Sequence, residues 1–484
     1  MPTIDESFVD SAAPNAGAAK NGRSLVMKGA FQALHQSEDG TLLFGVCKGS
    51  GKDPYRCSSD FLQPDKPVHR CTCPSRQFPC KHSLGLMYAF VQGKKFTVAE
   101  VPEDIAAKRD KAEARAEKKK ENESKPRKVN KSALAKKIKA QQDGLDLLET
   151  LTHDLIRLGM GSTSAKTAKQ IEEQAKQLGN AYLPGAQAAL YAYTKLFSNA
   201  EGRFDDEISP TQREKIYGEA LDQLARLHSL IRQGRAYLAA QADDPEMKPA
   251  TDTAIAAWLG HAWQLRDLKE AGLVRENAEL IQLAFNSYDD IARQEFVDTG
   301  IWMNLASGRI QLTQNYRPYK AVKYIKADDS FFQVARVPEL CVYPGDVNPR
   351  IRWDGMIPRS VEPADIKRVR SFGRSDFADV IKEVRATLKA PLADKHPIYA
   401  LQFKQIGQVG DQLVAEDGKK NRLVFTDTGM REEPASCYLL PLLPPELLKD
   451  QVMICRFRHD LDTRQLRIKP LGIVTEDQIV RLTL

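Results

Sequence analysis

Four side chains in the segment CTCPSRQFPCKH carry the clearest chemistry in the sequence: Cys71, Cys73, Cys80 and His82, spaced C-x-C-x6-C-x-H. Residues i and i+2 of an extended chain point to the same side, so Cys71 and Cys73 at the end of a strand would present two thiolates to one point. Cys80 and His82 would stand about 200° apart on a regular helix. They converge only if Cys80 precedes the helix and His82 opens it, a placement favoured by Pro79 ahead and the apolar run SLGLMYAFV behind. Three thiolates and one imidazole with no spare position suit a closed, tetrahedral structural zinc site, with Zn–S near about 2.3 Å and Zn–N near about 2.0 Å. Such a site bears one net negative charge. Arg70, Arg76 and Lys81 lie close by in sequence and would offset it, favouring thiolate over thiol; their other reading is contact with phosphates or with a partner. His69 and Cys57 remain possible substitute ligands, each without a paired neighbour.

The elements that must position these donors can be read on either side of them. Apolar runs over Thr41 to Cys47 and Pro54 to Leu62, separated by Gly49-Ser50-Gly51, suit a pair of strands joined by a turn. Behind the cluster, Leu84, Met87, Tyr88 and Val91 fall at helical spacing on one face, and that face is expected to pack on the strand Leu42 to Val46. The variable surface would then be the loop Pro74 to Pro79 and the outward side of the helix. Residues 1–21, rich in Ala, Ser, Gly and Asn without apolar periodicity, read as a disordered tail, which leaves 22–96 as a small β-plus-helix finger module.

Residues 97–140 read as a charged basic linker. Between Lys108 and Lys139 there are 14 Lys and Arg against 5 Asp and Glu, so this stretch holds more than the whole net charge of +7 and the remainder is close to neutral. Attraction for polyanions is therefore concentrated in one strip. Beyond it Leu145, Leu148, Leu151, Leu155 and Leu158 recur in steps of three and four, and similar patterns at Ala168/Ile171/Ala175/Leu178 and Leu221/Leu224/Leu227/Ile231 define a helical domain over 141–298. From 299 to 484 the period drops to two with Gly, Pro and Asp turns, a β-rich region interrupted by a helical stretch from Pro363 to Leu392. The fold class expected is α+β multidomain: a zinc-bound finger, a helical middle and a β-rich C-terminal region.

Composition narrows the functional classes. Hydrophobic residues make up 42% and charged residues 28% of 484, and mean hydropathy is −0.45, as in ordinary globular chains. The longest apolar stretch, Ser83 to Gly93, falls well short of the roughly 20 residues that span a bilayer, so no membrane is expected. The start MPTIDESFVD has neither a basic nor an apolar signal region, and with eight cysteines too few for a dense disulfide framework, three of them within ten residues, the expectation is a cytoplasmic protein with reduced thiols.

The ligand pattern resembles the SWIM zinc finger, whose signature is C-x-C, a variable gap and C-x-H in a strand-strand-helix unit; Cys71, Cys73, Cys80 and His82 fill its four positions. GVCKGSGKDPYRCSSDF ahead of the cluster and DGLDLLETLTHDLIRLGM beyond it are similar to bacterial SWIM zinc finger proteins of several hundred residues. The resemblance implies zinc as cofactor and binding to nucleic acid (DNA) or to a protein; it also implies an AAA+ ATPase or a von Willebrand A-domain protein as partner. The alternative is a working subunit or enzyme acting with such an ATPase, its active site in the C-terminal β region.

Other motifs give no catalytic residue. Gly49-Ser50-Gly51-Lys52 lacks the glycine and the Ser or Thr of a phosphate-binding loop, since Val46 and Asp53 stand there. His153, His228 and His261 have no partner at metal-ligand spacing, and Asp289 and Asp290 are adjacent on what reads as a helix and do not face each other. Asn315 to Lys326, NYRPYKAVKYIK, interleaves aromatics with bases; it reads as an exposed strand and, secondarily, as a stacking surface for single-stranded nucleic acid.

Overall fold

The computed structural model describes residues 4–49, 53–62, 67–75, 78–111, 130–199, 203–205, 207–290, 293–322, 325, 327–345, 347–427 and 433–483. The chain divides into two compact units, Met1–Pro126 and Arg127–Leu484. Helices and several sheets make it an α+β protein, and no helix among the described residues is long and apolar enough to cross a membrane.

In the first unit, strands β1 (Phe31–Gln36), β2 (Leu42–Cys47), β3 (Tyr55–Asp60), β4 (Val68–Cys71) and β5 (Thr97–Val98) form a sheet of order β4-β3-β2-β1-β5. Its pairs are antiparallel except β1 with β5. Helix α3 (Lys81–Val91) follows β4 and is buried from His82 to Ala89. That degree of burial needs cover on two sides. The sheet supplies one. The other comes from α1 (Glu6–Ala12) and α2 (Ala16–Met27), whose Val9 and Val26 join Leu43, Phe61, Leu84, Met87 and Tyr88 in one core.

The expected disordered tail over 1–21 is thus corrected: from Glu6 onward it is helical. Asp5 and Asn15 cap the two helices by accepting from the N–H groups of Phe8 and Ala18. Its small residues are what a close helix crossing requires. A Cβ on Gly22 would lie 3.0 Å from the Leu84 Cβ, and one on Gly85 would lie 3.1 Å from the Gly22 carbonyl oxygen. The Tyr88 hydroxyl donates to Asp10, and Arg23, 4.7 Å over the Tyr88 ring, also pairs with Asp10. Consequently the outward side of α3, expected to face solvent, is interior.

A further helix, α4 (103–111), is tied to the sheet by Arg109, which donates to both Asp60 carboxylate oxygens at 2.7 and 3.1 Å. Of the basic strip, residues 112–129 lie outside the described residues.

The second unit opens with α5 (Lys131–Leu158), α6 (Ala165–Asn180), α7 (Pro184–Lys195), α8 (Pro210–Asp243), α9 (Ile255–Trp258) and α10 (Leu265–Glu270). Their leucine stripes, among them Leu145, Leu148, Leu178, Leu190, Leu224 and Leu227, form one core. Helix α5 begins within the segment expected to be linker, capped by Asn130. The helical region also ends earlier than 298, because β6 (Val274–Asp290) already belongs to a sheet. Its stretch Ile281–Phe285 is buried on both faces and so lacks the alternation that marks a half-exposed strand.

The first sheet of this unit runs β10-β9-β6-β7-β8, with β11 (Ile357–Arg359) also on β9; the strands are β7 (Glu295–Asn304), β8 (Ile310–Pro318), β9 (Val334–Val342) and β10 (Ile351–Arg352). After α11 (Pro363–Ser371) and α12 (Phe377–Leu388) come β12 (Ile398–Gln402), β13 (Gln405–Val409), β14 (Gln412–Glu416), β15 (Arg422–Phe425), β16 (Val452–Asp460), β17 (Gln465–Val474) and β18 (Ile479–Arg481). These strands form a second sheet, β12-β16-β17-β15-β14-β13, with β18 on β17. Ile281, Leu283 and Ile301 of the first sheet share a core with Ile454, Leu471 and Val474 of the second. Trp258 donates its indole N–H to the Leu392 carbonyl at 3.0 Å, so helices and sheets close into one compact unit rather than dividing near 298.

An ion pair inside this unit has a measurable consequence. Lys469, fully buried on β17, donates to Asp427 at 2.9 Å and to the Pro434 carbonyl at 2.8 Å. Burial pushes the Asp427 carboxyl up, but the Lys469 ammonium and the N–H groups of Ser436 and Cys437 outweigh it and its pKa is lowered. A lowered carboxyl contributes stability above its unfolded value, and that contribution is lost as pH falls through the folded value. Asp427→Asn is therefore expected to cost about 3 kcal/mol at neutral pH, as for a buried pair robbed of one partner, with the deficit shrinking as pH falls from the ordinary Asp value through the lowered folded one. Urea melts across a series from pH 7 down to about pH 2 check this; a deficit that does not shrink across the series would refute the pairing argument.

Candidate metal centre

Strand β4 ends at Cys71, the chain turns through Thr72, and Cys73 follows; Cys80 is the N-cap of α3 and His82 lies in its first turn. One donor atom from each of the four residues falls within 4.8 Å of every other. The His82 Nδ1 stands 3.7 Å from the Cys71 sulfur and 3.8 Å from that of Cys80. Tetrahedral zinc with the bond lengths above separates nitrogen and sulfur donors by about 3.5 Å, so the residues present fit the ion. Cys73, Cys80 and His82 are buried and Cys71 is partly so, and four protein donors leave no position for substrate.

The surroundings prepare the donors. The Cys71 thiol hydrogen-bonds to Cys80 and is itself raised, while this bond, with His82 and Ser83, holds the Cys80 thiol below its ordinary value. Its seat at a helix N-terminus acts in the same direction. Zinc, when bound, supplies the charge that keeps all three sulfurs as thiolates and clamps β4 to α3. Ser83 holds a second contact, donating to the Arg70 carbonyl at 3.4 Å. The Tyr55 ring packs 4.9 Å from that of His82, and Gly49 makes room for it, since a Cβ there would come 2.4 Å from the Tyr55 ring. That close approach is why a glycine stands at the start of the Gly49-Ser50-Gly51 turn, whose other residues lie outside those described.

Neither substitute ligand joins the cluster. The His69 Nδ1 lies 3.0 Å from the Ser59 hydroxyl, and burial lowers its pKa to about 4. Cys57 is buried and directs its thiol to the Gly45 carbonyl. Of the three bases named from sequence, Arg70 is drawn to Asp60 at 3.2 Å, Lys81 is exposed at the first position of α3, and Arg76 lies outside the described residues.

Strand parity brings together residues that spacing alone could not. His35, Phe44, Ser58 and Arg70 are cross-strand neighbours in one row over β1, β2, β3 and β4, on the opposite face of the sheet from Cys57 and Cys71. Arg56 and Val46 form the next row. With Ile105, Asp104 and Lys108 of α4, the last two paired at 3.3 Å, these residues line a groove of about 320 Å³. His35 and Phe44 approach with ring centroids 5.2 Å apart, and among the described residues no carboxylate pairs with Arg56. The signal for Arg56 was its two-residue step from Ser58, legible only once the register with β2 and β4 is known.

A strand end and a helix start that together present three thiolates and an imidazole define a closed, structural zinc finger. Residues 60–90 match the SWIM zinc finger family, and the first unit carries a zinc-binding finger of that kind. Neither the comparison with curated proteins nor that with solved structures returns a match.

Proposed function

We propose that the first unit is a nucleic-acid-binding module in which zinc is structural and the contact surface is the sheet face away from α3. The observation that carries this reading is the cross-strand row of His35, Phe44, Ser58 and Arg70 beside the exposed Arg56. Aromatic and basic side chains interleaved on a sheet face provide a base-stacking surface and phosphate contacts together. The closed ligand set supports binding rather than catalysis at the metal.

The test is binding of DNA and RNA, single- and double-stranded, by the full chain across a salt series. Each phosphate contact contributes about 0.7 to 0.9 to the slope of log affinity against log salt. Arg56→Ala with Lys108→Ala, both on the groove, is expected to weaken binding roughly tenfold and flatten that slope by about one to two, with zinc content unchanged. Binding absent at low salt, or indifferent to both substitutions, would overturn the reading, and a captured partner that persists at high salt would assign the face to a protein.

A further inference from the structure

The second unit contains a cavity of about 780 Å³ on the face of its first sheet, within the range of small-molecule sites. Three aromatic rings form its apolar side. Trp302 and Trp353 meet edge to face with centroids 5.3 Å apart, and Phe331 lies 5.7 Å from Trp302. Trp302 is held in place by its indole N–H, which donates to Thr313 Oγ1 at 3.0 Å. Gly300 leaves space for this arrangement, because a Cβ there would come within 2.6 Å of both the Trp302 nitrogen and Thr313 Oγ1.

The polar side is unlike a satisfied core. Arg350 sits between the rings of Tyr316 and Tyr343, at 5.5 and 5.0 Å from their centroids. Its guanidinium is thereby oriented, yet its buried Nε has no hydrogen-bond partner among the described residues. Gln282, also buried, spends its carboxamide oxygen on the Phe331 N–H at 2.8 Å. An oriented, buried donor without an acceptor is expensive unless a ligand supplies one. Asp328 and Asp329 stand on the same cavity lining. A bare inorganic anion would meet these carboxylates as well as Arg350, whereas a ligand that also carries hydroxyls or amino groups could use them as acceptors.

We propose that this cavity binds a nucleotide, with the base against Trp353 and Trp302, the phosphate on Arg350, and the ribose hydroxyls or base amino groups toward Asp328 and Asp329. A nucleotide combines a flat ring, hydroxyl and amino donors and an anionic group, the complements of the three kinds of surface present. Aromatic stacking and an arginine–phosphate contact are each strong enough to be read separately. The ligand could be a free mononucleotide or one residue of a single strand, and the same chemistry would hold either. The site shares no residue with the finger.

The experiment follows tryptophan fluorescence of the full chain on titration with the ribonucleoside monophosphates, their nucleosides, inorganic phosphate and a short single-stranded RNA. Saturable quenching by at least one monophosphate or by the RNA is expected, with the matching nucleoside at least tenfold weaker and inorganic phosphate ineffective. Arg350→Gln should bring the monophosphate down to the level of its nucleoside and leave the nucleoside unchanged, while Trp353→Leu should weaken both about tenfold. A strand that binds more tightly than its monophosphate identifies the source as nucleic acid; the reverse identifies a free nucleotide. Melting curves establish that each variant is folded. Repeating the titration on Cys80→Ser protein separates this site from the finger, because binding here should persist without zinc. The proposal is overturned if neither monophosphate nor RNA quenches saturably, or if nucleoside and nucleotide bind alike in both wild-type and Arg350→Gln protein.

Discussion

Replacing Cys80 by serine is expected to release the zinc and to unfold residues 31–91 while leaving α5 to α8 helical. Purified wild-type protein should carry one zinc per chain, bound by Cys71, Cys73, Cys80 and His82. Apparent binding free energies of structural zinc in finger peptides are about 10–16 kcal/mol at neutral pH, far more than a small unit can spare. The core around Leu43, Leu84 and Met87 offsets part of that loss, so collapse should be largest at the β4 end of the sheet. Affinity for zinc should fall as pH falls, since protons compete for three thiolates and an imidazole. Metal content by atomic absorption and hydrogen exchange of the backbone amides check these outcomes. A full complement of zinc in the Cys71→Ser/Cys80→Ser variant would refute the ligand assignment.

Gly22→Leu is expected to be the most damaging single change in α2. The glycine lies where α2 crosses α3, with Leu84 and the Gly85 backbone nitrogen at 3.0 and 3.2 Å from any added Cβ. A leucine cannot be absorbed there without parting the helices, an overpacking cost of about 3 kcal/mol. Once α1 and α2 lift, Leu84 and Tyr88 become solvent-accessible. Lys20→Leu, on the exposed side of the same helix, should stay within about 0.5 kcal/mol of wild type. Limited proteolysis near Met27, compared between the two variants, reads the difference; equal protection of both would show that α2 is not the cover of the finger helix.

What could and could not be read beforehand follows from how local each interaction is. The zinc donors were legible because chelation is set by residue type and spacing within a short segment, and the leucine stripes of α5, α6 and α8 were legible because each helix shows its buried face in its own period. The helices over Glu6–Met27 were not, since Gly22 and Ala19 pack by being small and leave no apolar periodicity. Strand β6 was hidden because both its faces are buried near Ile281–Phe285. The groove row from His35 to Arg70 depends on the register of four strands, and the corner of Trp302 and Trp353 on residues far apart in sequence. Within NYRPYKAVKYIK, Asn315 to Pro318 belong to β8 and Tyr316 supports Arg350, while residues 323, 324 and 326 lie outside those described.

The segment that matches the finger family, residues 60–90, holds all the metal donors, yet the core that encloses them draws on Val9, Val26 and Leu43. Inheritance and folding thus have different borders in this module. A graft limited to the matched stretch would carry its ligands into a new host and leave Leu84, Met87 and Tyr88 bare, so the portable unit is the finger together with the N-terminal pair of helices that roofs it.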